Sequence, residues 1–512
     1  MQRVLVLAGV FGVLAIAGSA YWLHEHGATR EAATADTPPD PLAAIAEAEK
    51  IADPMQRCLA FPALRGTHWS KAYVEAFCTD VLSPGLSARE ISDAIDDGKA
   101  AELDARLDAI LDGYFAHRVP EGVVYQAWGR FRSSSATAER LVDHWLDQAP
   151  NSAYALAARG IVAVERASQA RGEDTISNTP DRDIAKMQAA LASARRDLER
   201  ALAANPRILP AYVALLSVAR FSGDDALAQQ TLERALAVDP ASYFVRGEYS
   251  TGLEPRWGGS FEKMYRFAES AAPQIADNPR LLALKLDALA ARGLPFYWKH
   301  DYRTALQHFE QGLAVAPNTF YLDVGQFAAG EAGDDVRAVE LISQYLRFVP
   351  SEVKKYASRA YHLERLHRDA WAEADYAAVL RIDPSDPRAT RGYVNLLVKR
   401  NDPAAETKLK EIVAADPTDT WAAETLAWLY VHRSHRYAEA MTLMDGLIAQ
   451  KPESGELWLY KLQLQDAMPG TDLRPTVEQF VRYADPSSKE QRDKLAVAQQ
   501  WLASHPAPAQ AH

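Results

Sequence analysis

The sequence predicts an all-α protein built as a solenoid of antiparallel helix pairs, and two repeating patterns support this fold class. Ten prolines recur at intervals of 33–39 residues, apart from a first interval of 56. Twelve positions before eight of these prolines lies an alanine, followed at steps of four by a bulky apolar residue and an aliphatic one. These three positions share one helix face, and the proline prevents the helix from continuing. The alanines are Ala138, Ala194, Ala228, Ala305, Ala338, Ala372, Ala405 and Ala440.

This period and residue pattern resemble those of tetratricopeptide repeats (TPRs), in which a unit of about 34 residues forms one helix pair. The resemblance implies a right-handed superhelix, in which each repeat packs only on its neighbours. It also implies a scaffold that binds a protein or peptide partner. Since stacking adds repeats without enlarging a single core, a chain of 512 residues is compatible with one solenoid.

The N-terminus predicts export. Val4–Leu23 is a run of 20 residues without charge, preceded by Arg3. As a helix it would be about 30 Å long, which matches the apolar core of a bilayer. The run is therefore either an uncleaved inner-membrane anchor or a signal peptide that is cleaved near Gly18–Ala20. We expect the anchor, which holds the body of the chain in the periplasm. The alternative leaves a soluble periplasmic protein.

The domain organisation follows from where the period begins, is interrupted and ends. Ser87 and Glu90 have the spacing of a capping box, so a helix is expected to start there, before the repeats begin. In chain order we expect a signal anchor or signal peptide (1–23), a flexible linker (24–45), an N-terminal helical region (46–149), irregular TPR-like pairs with loop insertions (150–317), regular repeats (318–486), and a capping helix with a disordered tail (487–512).

Three insertions interrupt the irregular pairs, at residues 171–183, 254–260 and 293–300. Each falls between the first and the second helix of its pair, so all three are expected along one edge of the stack. Two of them carry aromatic and arginine side chains of the kind that dominate binding interfaces. The alternative is that the tryptophan of residues 254–260 packs over a tight turn. The candidate partner-binding residues are Arg256, Trp257, Gly258, Gly259, Phe296, Tyr297 and Trp298.

The chain has two cysteines, Cys58 and Cys78, 20 residues apart. In an exported protein such a pair is a possible disulfide. Two cysteines without nearby histidines do not supply the four ligands of a structural zinc site. We therefore expect no metal at this position.

Composition and motifs argue against several function classes. A net charge of −12 and an isoelectric point near 5.6 argue against nucleic-acid binding, which needs clustered basic residues. The sequence lacks a phosphate-binding loop, a Gly-x-Ser-x-Gly elbow and a His-Glu-x-x-His pair. We therefore expect a membrane-tethered periplasmic TPR scaffold, not an enzyme, without a cofactor. The alternative is an envelope enzyme or small-ligand-binding protein, with a pocket formed by the N-terminal part and the insertions.

Four short segments carry a second resemblance: Asp53–Pro62, His68–Lys71, Ala76–Cys78 and Pro255–Ser260. They resemble the bacterial domain-of-unknown-function family 4034, whose members carry TPR-like helices. The resemblance covers approximately residues 53–317. It implies a helical fold and brings neither an activity nor a catalytic residue.

Overall fold

The computed structural model describes residues 40–172 and 176–505, and all regular structure within these residues is helical. They fall into two compact units, divided between Ala372 and Glu373. We call them the N-terminal unit (residues 40–372) and the C-terminal unit (residues 373–505). The predicted anchor or signal helix, most of the predicted linker and the end of the tail lie outside the described residues. Within the described residues, no helix combines the length and apolar character that a membrane span requires.

The N-terminal unit begins with seven helices that precede the repeats. Serine side chains cap three of them, because Ser70, Ser87 and Ser135 each accept a backbone N–H of the first turn. The capping box predicted at Ser87 and Glu90 is confirmed, with both of its reciprocal hydrogen bonds present. The helices are α1 (Ala43–Ala48), α2 (Pro54–Ala60), α3 (Lys71–Leu82), α4 (Ala88–Asp96), α5 (Ala100–Phe115), α6 (Glu121–Gln126) and α7 (Ala136–Gln148).

Five helix pairs, the short helix α15 and one further helix complete this unit, and α20 contains the division between the units. The pairs are α8 (Ala153–Arg171) with α9 (Asp181–Ala204), α10 (Leu209–Ser222) with α11 (Asp225–Val238), α12 (Tyr243–Gly252) with α13 (Phe261–Ser270), α14 (Leu282–Ala290) with α16 (Tyr302–Leu313), and α17 (Thr319–Glu331) with α18 (Asp335–Phe348). The short α15 (Leu294–Tyr297) connects α14 to α16, and α19 (Val353–Arg365) and α20 (Asp369–Ile382) follow.

The C-terminal unit continues the same arrangement. A π-helical turn (Tyr430–Ser434) extends the first helix of its second pair. The last helix begins at the N-cap Ser488, whose side chain accepts from Gln491 N. The helices are α21 (Pro387–Lys399) with α22 (Ala404–Ala415), α23 (Thr420–Leu429) with α24 (Tyr437–Gln450), α25 (Gly455–Asp466) with α26 (Arg474–Tyr483), and α27 (Lys489–Ser504).

The repeating sequence pattern corresponds to this architecture. Each of the ten prolines follows a helix, within two to four residues except after α13. Seven of the eight alanines predicted at close helix crossings are buried: Ala138, Ala194, Ala305, Ala338, Ala372, Ala405 and Ala440 are 0–1% exposed. The eighth, Ala228 of α11, is only partly buried. The bulky residues four positions later, such as Phe309, Ile342 and Leu409, are 0% exposed. Within each unit, the second helices therefore supply an apolar face at the predicted register.

The region before the repeats packs on α18, which the sequence did not predict. Arg347 Nε donates to Cys58 O at 2.7 Å, and Gln344 Nε2 donates to Pro62 O at 2.8 Å. Tyr73 OH donates to Pro317 O at 2.9 Å. The first two bonds satisfy backbone carbonyls in the last turn of α2 and in the non-helical stretch between α2 and α3. We call residues 43–82 the N-terminal segment.

A disulfide and ring stacking hold the N-terminal segment in place. Cys58 and Cys78 are bonded, with their Cα atoms 6.1 Å apart, and both are fully buried. The bond joins α2 to α3. Phe77 of α3 stacks on Phe348 of α18 with ring centroids 4.3 Å apart. The candidate disulfide residues therefore lie in the core between the segment and the repeats.

Candidate functional site

A cavity of about 730 Å³ runs along the first helices of the N-terminal unit, and we call it the groove. The first helices of all five pairs contribute to its lining: α8, α10, α12, α14 and α17. The remaining lining comes from α6, from Trp128 and Arg132 shortly after it, from Met264 of α13, and from two of the three insertions. The groove is thus a product of repeat stacking, because no single pair contains it.

Aromatic side chains form much of the groove wall. Tyr125 and Phe244 stack on each other with centroids 4.0 Å apart. Trp298 and Phe320 are 55% and 52% exposed, although both are large apolar residues. Rigid rings bury a large area on binding and lose little conformational entropy. The aromatic lining residues are Tyr125, Trp128, Tyr243, Phe244, Tyr297, Trp298, Phe320 and Tyr321.

The groove carries more carboxylates than cations. Its charged lining residues are Glu165, Glu248, Glu254, Asp287, Arg132 and Arg256. Three of the carboxylates have a cationic partner within the protein: Arg132 lies 3.8 Å from Glu165, Arg220 lies 2.8 Å from Glu248, and Arg256 lies 2.5 Å from Glu254. Asp287 is the exception.

Asp287 projects from α14, an otherwise largely apolar helix, and lines the groove. Its hydrogen bond in the structure comes from Asn318 Nδ2 at 3.3 Å, near the long end of the useful range. Burial, followed by the negative charge of Glu254, raises the pKa of Asp287 to about 7, and Arg280 opposes this shift. Burial also raises the pKa of Glu254, against the charge of Arg256.

Three buried polar side-chain atoms of the groove have no hydrogen-bond partner among the described residues: Tyr125 OH, Trp128 Nε1 and Ser250 Oγ. Trp128 and Ser250 are 3% and 1% exposed. Buried donors are normally paired, so unpaired donors on a cavity wall indicate groups that a ligand or water satisfies.

The structure separates the candidate binding residues into two groups. Arg256, Tyr297 and Trp298 line the groove, although they come from two different insertions. Phe296 is 36% exposed and stacks on His308 with centroids 5.5 Å apart, outside the groove lining.

Trp257 is a packed residue. Arg171 and Arg220 each lie 4.8 Å from its ring centroid, and Phe221 meets the ring edge-on at 5.6 Å. Arg171 belongs to the first insertion, so this ring connects the first two insertions along the predicted edge. We expect it to stabilise the edge of the groove rather than to contact a ligand.

The two glycines after Trp257 shape the turn. Gly258 has φ +88°, a conformation that other residues adopt only with strain. A Cβ on Gly259 would lie 1.9 Å from Leu253 O, so a larger residue does not fit. Gly258 N donates to Pro255 O and Gly259 N donates to Glu254 O, both at 3.1 Å. Both amides are therefore used inside the turn.

Sequence reasoning missed several groove residues. Trp128, Ser250, Asp287 and Asn318 lie on four separate elements and form no linear motif. One signal was present for Asp287, because a carboxylate within the helix Leu282–Ala290 has largely apolar neighbours in sequence. Such a residue is expected either to pair with a cation or to face a cavity.

The C-terminal unit has a second cavity, of about 530 Å³, on α20, α21 and α22. Its lining includes Leu380, Val394 and Ile412, with Arg381, Lys408 and Glu411 as its charged residues. Elsewhere in residues 40–172 and 176–505, as at these two cavities, no three His, Cys, Asp or Glu side chains are grouped closely enough to hold a metal ion.

No family model matches the sequence. The chain is similar to a solved tetratricopeptide repeat protein from Parabacteroides merdae, with 15% identity over 57% of this chain and 98% of that one, and a TM-score of 0.33. It is similar to yeast Tom70, with 14% identity over 81% and 88% of the two chains and a TM-score of 0.32. It is also similar to the TPR domain of P58(IPK), with 14% identity over 63% and 97% and a TM-score of 0.24. These TM-scores are too low to transfer a function. The assignment of TPR-like helix pairs rests on the period, the buried alanines and the helix order of this chain.

Proposed function

We propose that the N-terminal unit is an interaction scaffold that binds an extended peptide segment of a partner protein along the groove. The observation that carries this proposal is the placement of the groove along five successive first helices. A ligand that follows it meets a similar surface at each repeat, with an aromatic or charged side chain at intervals. Extended peptides present side chains at regular intervals and suit such a surface.

The exposed aromatic residues support a peptide ligand over a compact one. Trp298 and Phe320 lie on separate helix pairs, and both keep more than half of their surface accessible. Exposed rings of this size are costly in water and are typical of interaction sites. They extend the binding surface beyond the enclosed part of the groove.

We further propose that this scaffold lies in the periplasm, tethered to the inner membrane by residues 1–23, and acts by binding, not catalysis. Two observations support the location. Val4–Leu23 has the length and composition of a membrane anchor. The buried disulfide between Cys58 and Cys78 is of a kind that persists in oxidising compartments.

A small-ligand-binding protein is the second candidate. The cavity volume of about 730 Å³ lies in the range of small-molecule pockets, and the raised pKa values of Glu254 and Asp287 are typical of functional clefts. A small ligand would occupy the enclosed part of the groove and leave Trp298 and Phe320 outside the complex.

Selection from a peptide display library distinguishes the two candidates. We expect the full-length wild-type protein to retain peptides. The Trp298→Ala, Phe320→Ala double variant should bind the selected peptides about ten- to hundredfold more weakly. Its melting temperature should be unchanged, because both rings are largely exposed. Tyr361→Ala is the matched control, since Tyr361 is 50% exposed and lies outside the groove lining. Equal affinity of the double variant and the control would refute the peptide-binding role of these rings.

A further inference from the structure

We propose that the part of the groove around Asp287 binds a cationic group, the ammonium of a lysine or the guanidinium of an arginine, carried by the bound segment. This inference rests on the proposed peptide-binding function and specifies the chemistry of its ligand. It follows from the placement of one carboxylate, the rings around it, and the buried donors in the same cavity.

Asp287 lacks a cationic partner in the part of the chain that the structure describes. Arg280, whose positive charge acts on Asp287, pairs with Asp80 at 2.6 Å, and Arg256, which lines the same groove, pairs with Glu254 at 2.5 Å. Among the described residues no lysine or arginine lies within ion-pairing distance of Asp287, whose hydrogen bond comes from the neutral amide of Asn318. A partly buried carboxylate without a cation is costly, and a bound ammonium would compensate it.

The side chains around Asp287 are suited to a cation. Tyr243 and Tyr321 line the groove with it, and the negative charge of Asp287 contributes to raising the pKa of both tyrosines. The faces of tyrosine rings attract ammonium and guanidinium groups. The protein already uses Tyr243 in this way, because the guanidinium of Arg280 lies 4.6 Å from its ring centroid. An incoming cation at Asp287 would therefore meet both a carboxylate and aromatic faces.

The unpartnered donors indicate what the rest of the segment supplies. Trp128 Nε1 donates only, and Ser250 Oγ can donate; both are buried on the groove wall without a partner among the described residues. Peptide carbonyls are acceptors that match them. A segment with a basic side chain and a free backbone carbonyl satisfies the carboxylate and the donors together.

Anionic ligands fit the part of the groove around Asp287 poorly. Besides Asp287, Glu254 faces the same cavity and its charge raises the pKa of Asp287. A carboxylate or phosphate placed here would repel both groups in a partly desolvated site. The groove is therefore expected to select against acidic residues at this position as strongly as it selects for basic ones.

The test uses full-length protein and the peptides obtained by display selection. In each peptide the basic position is replaced in turn by lysine, arginine, norleucine and glutamate; norleucine keeps the apolar stem of lysine without its charge. We expect wild type to bind the lysine and arginine peptides about ten- to hundredfold more tightly than the norleucine peptide. Asp287→Asn, which keeps the size of the side chain, should abolish this preference while still binding the norleucine peptide. Glu262→Gln removes an exposed carboxylate outside the groove lining and serves as the control.

The outcomes separate this inference from the proposed function. Peptide binding by wild type without a preference for a basic residue, or the same preference in Asp287→Asn, overturns the cation site and leaves the scaffold proposal intact. Failure of wild type to retain any peptide refutes the scaffold proposal. In that case n-butylammonium and n-butanol are compared by saturation-transfer NMR. Saturable binding of the ammonium by wild type and not by Asp287→Asn supports the site, and equal signals from both proteins overturn it.

Discussion

The two units are built from similar helix pairs but use charged side chains differently. In the C-terminal unit the ion pairs are partly exposed, as between Arg400 and Glu373 at 2.6 Å. In the N-terminal unit several are buried: Arg280 and Asp80 have side chains only 7% and 8% exposed. Both units contain the buried alanines that lie twelve positions before the repeat prolines, which we call the alanine ladder. We infer that the ladder, and not the buried ion pairs, accounts for the stacking of helix pairs that the units share. Asp80, Arg280, Arg337 and Arg347 are buried where the N-terminal segment packs on the repeats, and the C-terminal unit has no corresponding segment among its described residues.

The cavities show the same contrast. The groove combines aromatic walls, carboxylates and unpartnered donors, whereas the second cavity is lined mainly by aliphatic residues and carries two basic side chains. A regular stack of repeats thus forms a cavity that lacks this combination of side chains. The insertions add Glu254, Arg256, Tyr297 and Trp298 to the groove, so the departures from the repeat period coincide with the richer site.

The largest expected effect comes from breaking a buried pair. Arg280→Met removes the partner of Asp80 and leaves a buried carboxylate that is still bonded to Gly122 N. We expect this variant to lower the free energy of unfolding of the N-terminal unit by about 3–5 kcal/mol. Arg400→Met, which breaks the partly exposed pair with Glu373, should cost at most about 1 kcal/mol. Urea unfolding followed by hydrogen exchange reports on each unit separately, and equal costs would remove the contrast between them.

The sequence allowed the repeat architecture to be predicted because its signals are local and periodic. The alanine ladder, the helix ends before the prolines and the position of each insertion depend on residues within one helix pair. The packing of the N-terminal segment could not be predicted in this way. On α18, Arg337, Glu340, Gln344 and Arg347 have the spacing of a solvated helix face, yet all four are buried.

The reason is that this face is covered by residues nearly 290 positions earlier in the chain. Arg347 and Gln344 bond to carbonyls of the N-terminal segment, and Arg337 bonds to Arg65 O at 3.2 Å. Neither the sequence of α18 nor that of the N-terminal segment contains a repeating pattern that indicates the other as its packing partner. The same holds for Asp287 and Asn318, which meet only because two repeats stack. Candidate binding residues were therefore predictable where they lay in insertions and not where stacking brings helices together.

The disulfide gives the second largest effect and concerns the N-terminal segment. Replacement of Cys58 and Cys78 by serine opens a loop of 20 residues. We expect this to lower the free energy of unfolding by about 3 kcal/mol, because the unfolded chain regains the entropy of that loop. The C-terminal unit lacks a disulfide among its described residues, so the reductant dithiothreitol should shift the unfolding of the N-terminal unit alone. An unchanged midpoint for wild type in reductant would show that the bond does not stabilise the segment.

Replacing ladder alanines tests what the two units share. Ala338 and Ala405 are 0% and 1% exposed, one in each unit. A leucine at either position forces extra volume into a packed helix crossing and should cost about 1–3 kcal/mol. Similar costs in both units, measured by urea unfolding, would show that stacking follows the same rule throughout. A loss confined to one unit would mean that the ladder has different roles in the two.

The smallest expected effect is the pH dependence of stability that Asp287 of the groove contributes. The folded protein raises the pKa of Asp287 from its usual value near 3.8 to about 7. Stability linked to this group is therefore fully present below pH 4 and is lost as the pH rises towards 7, because the unfolded chain ionises first. Water reaches the carboxylate through the groove, so we expect a loss of only about 1–2 kcal/mol.

Asp287→Asn should remove this pH dependence. Relative to wild type, the variant should gain stability between pH 4 and pH 8, when the free energies of unfolding are measured by urea titration at each pH. The groups that face Asp287 are Glu254, Arg280, Tyr243 and Tyr321, and they remain in both proteins. The difference between the two curves therefore isolates one carboxylate. A variant that is more stable at neutral pH but has lost the preference for basic peptides would show that Asp287 is retained for binding at a cost in stability. Parallel curves would mean that the carboxylate is already compensated within the protein.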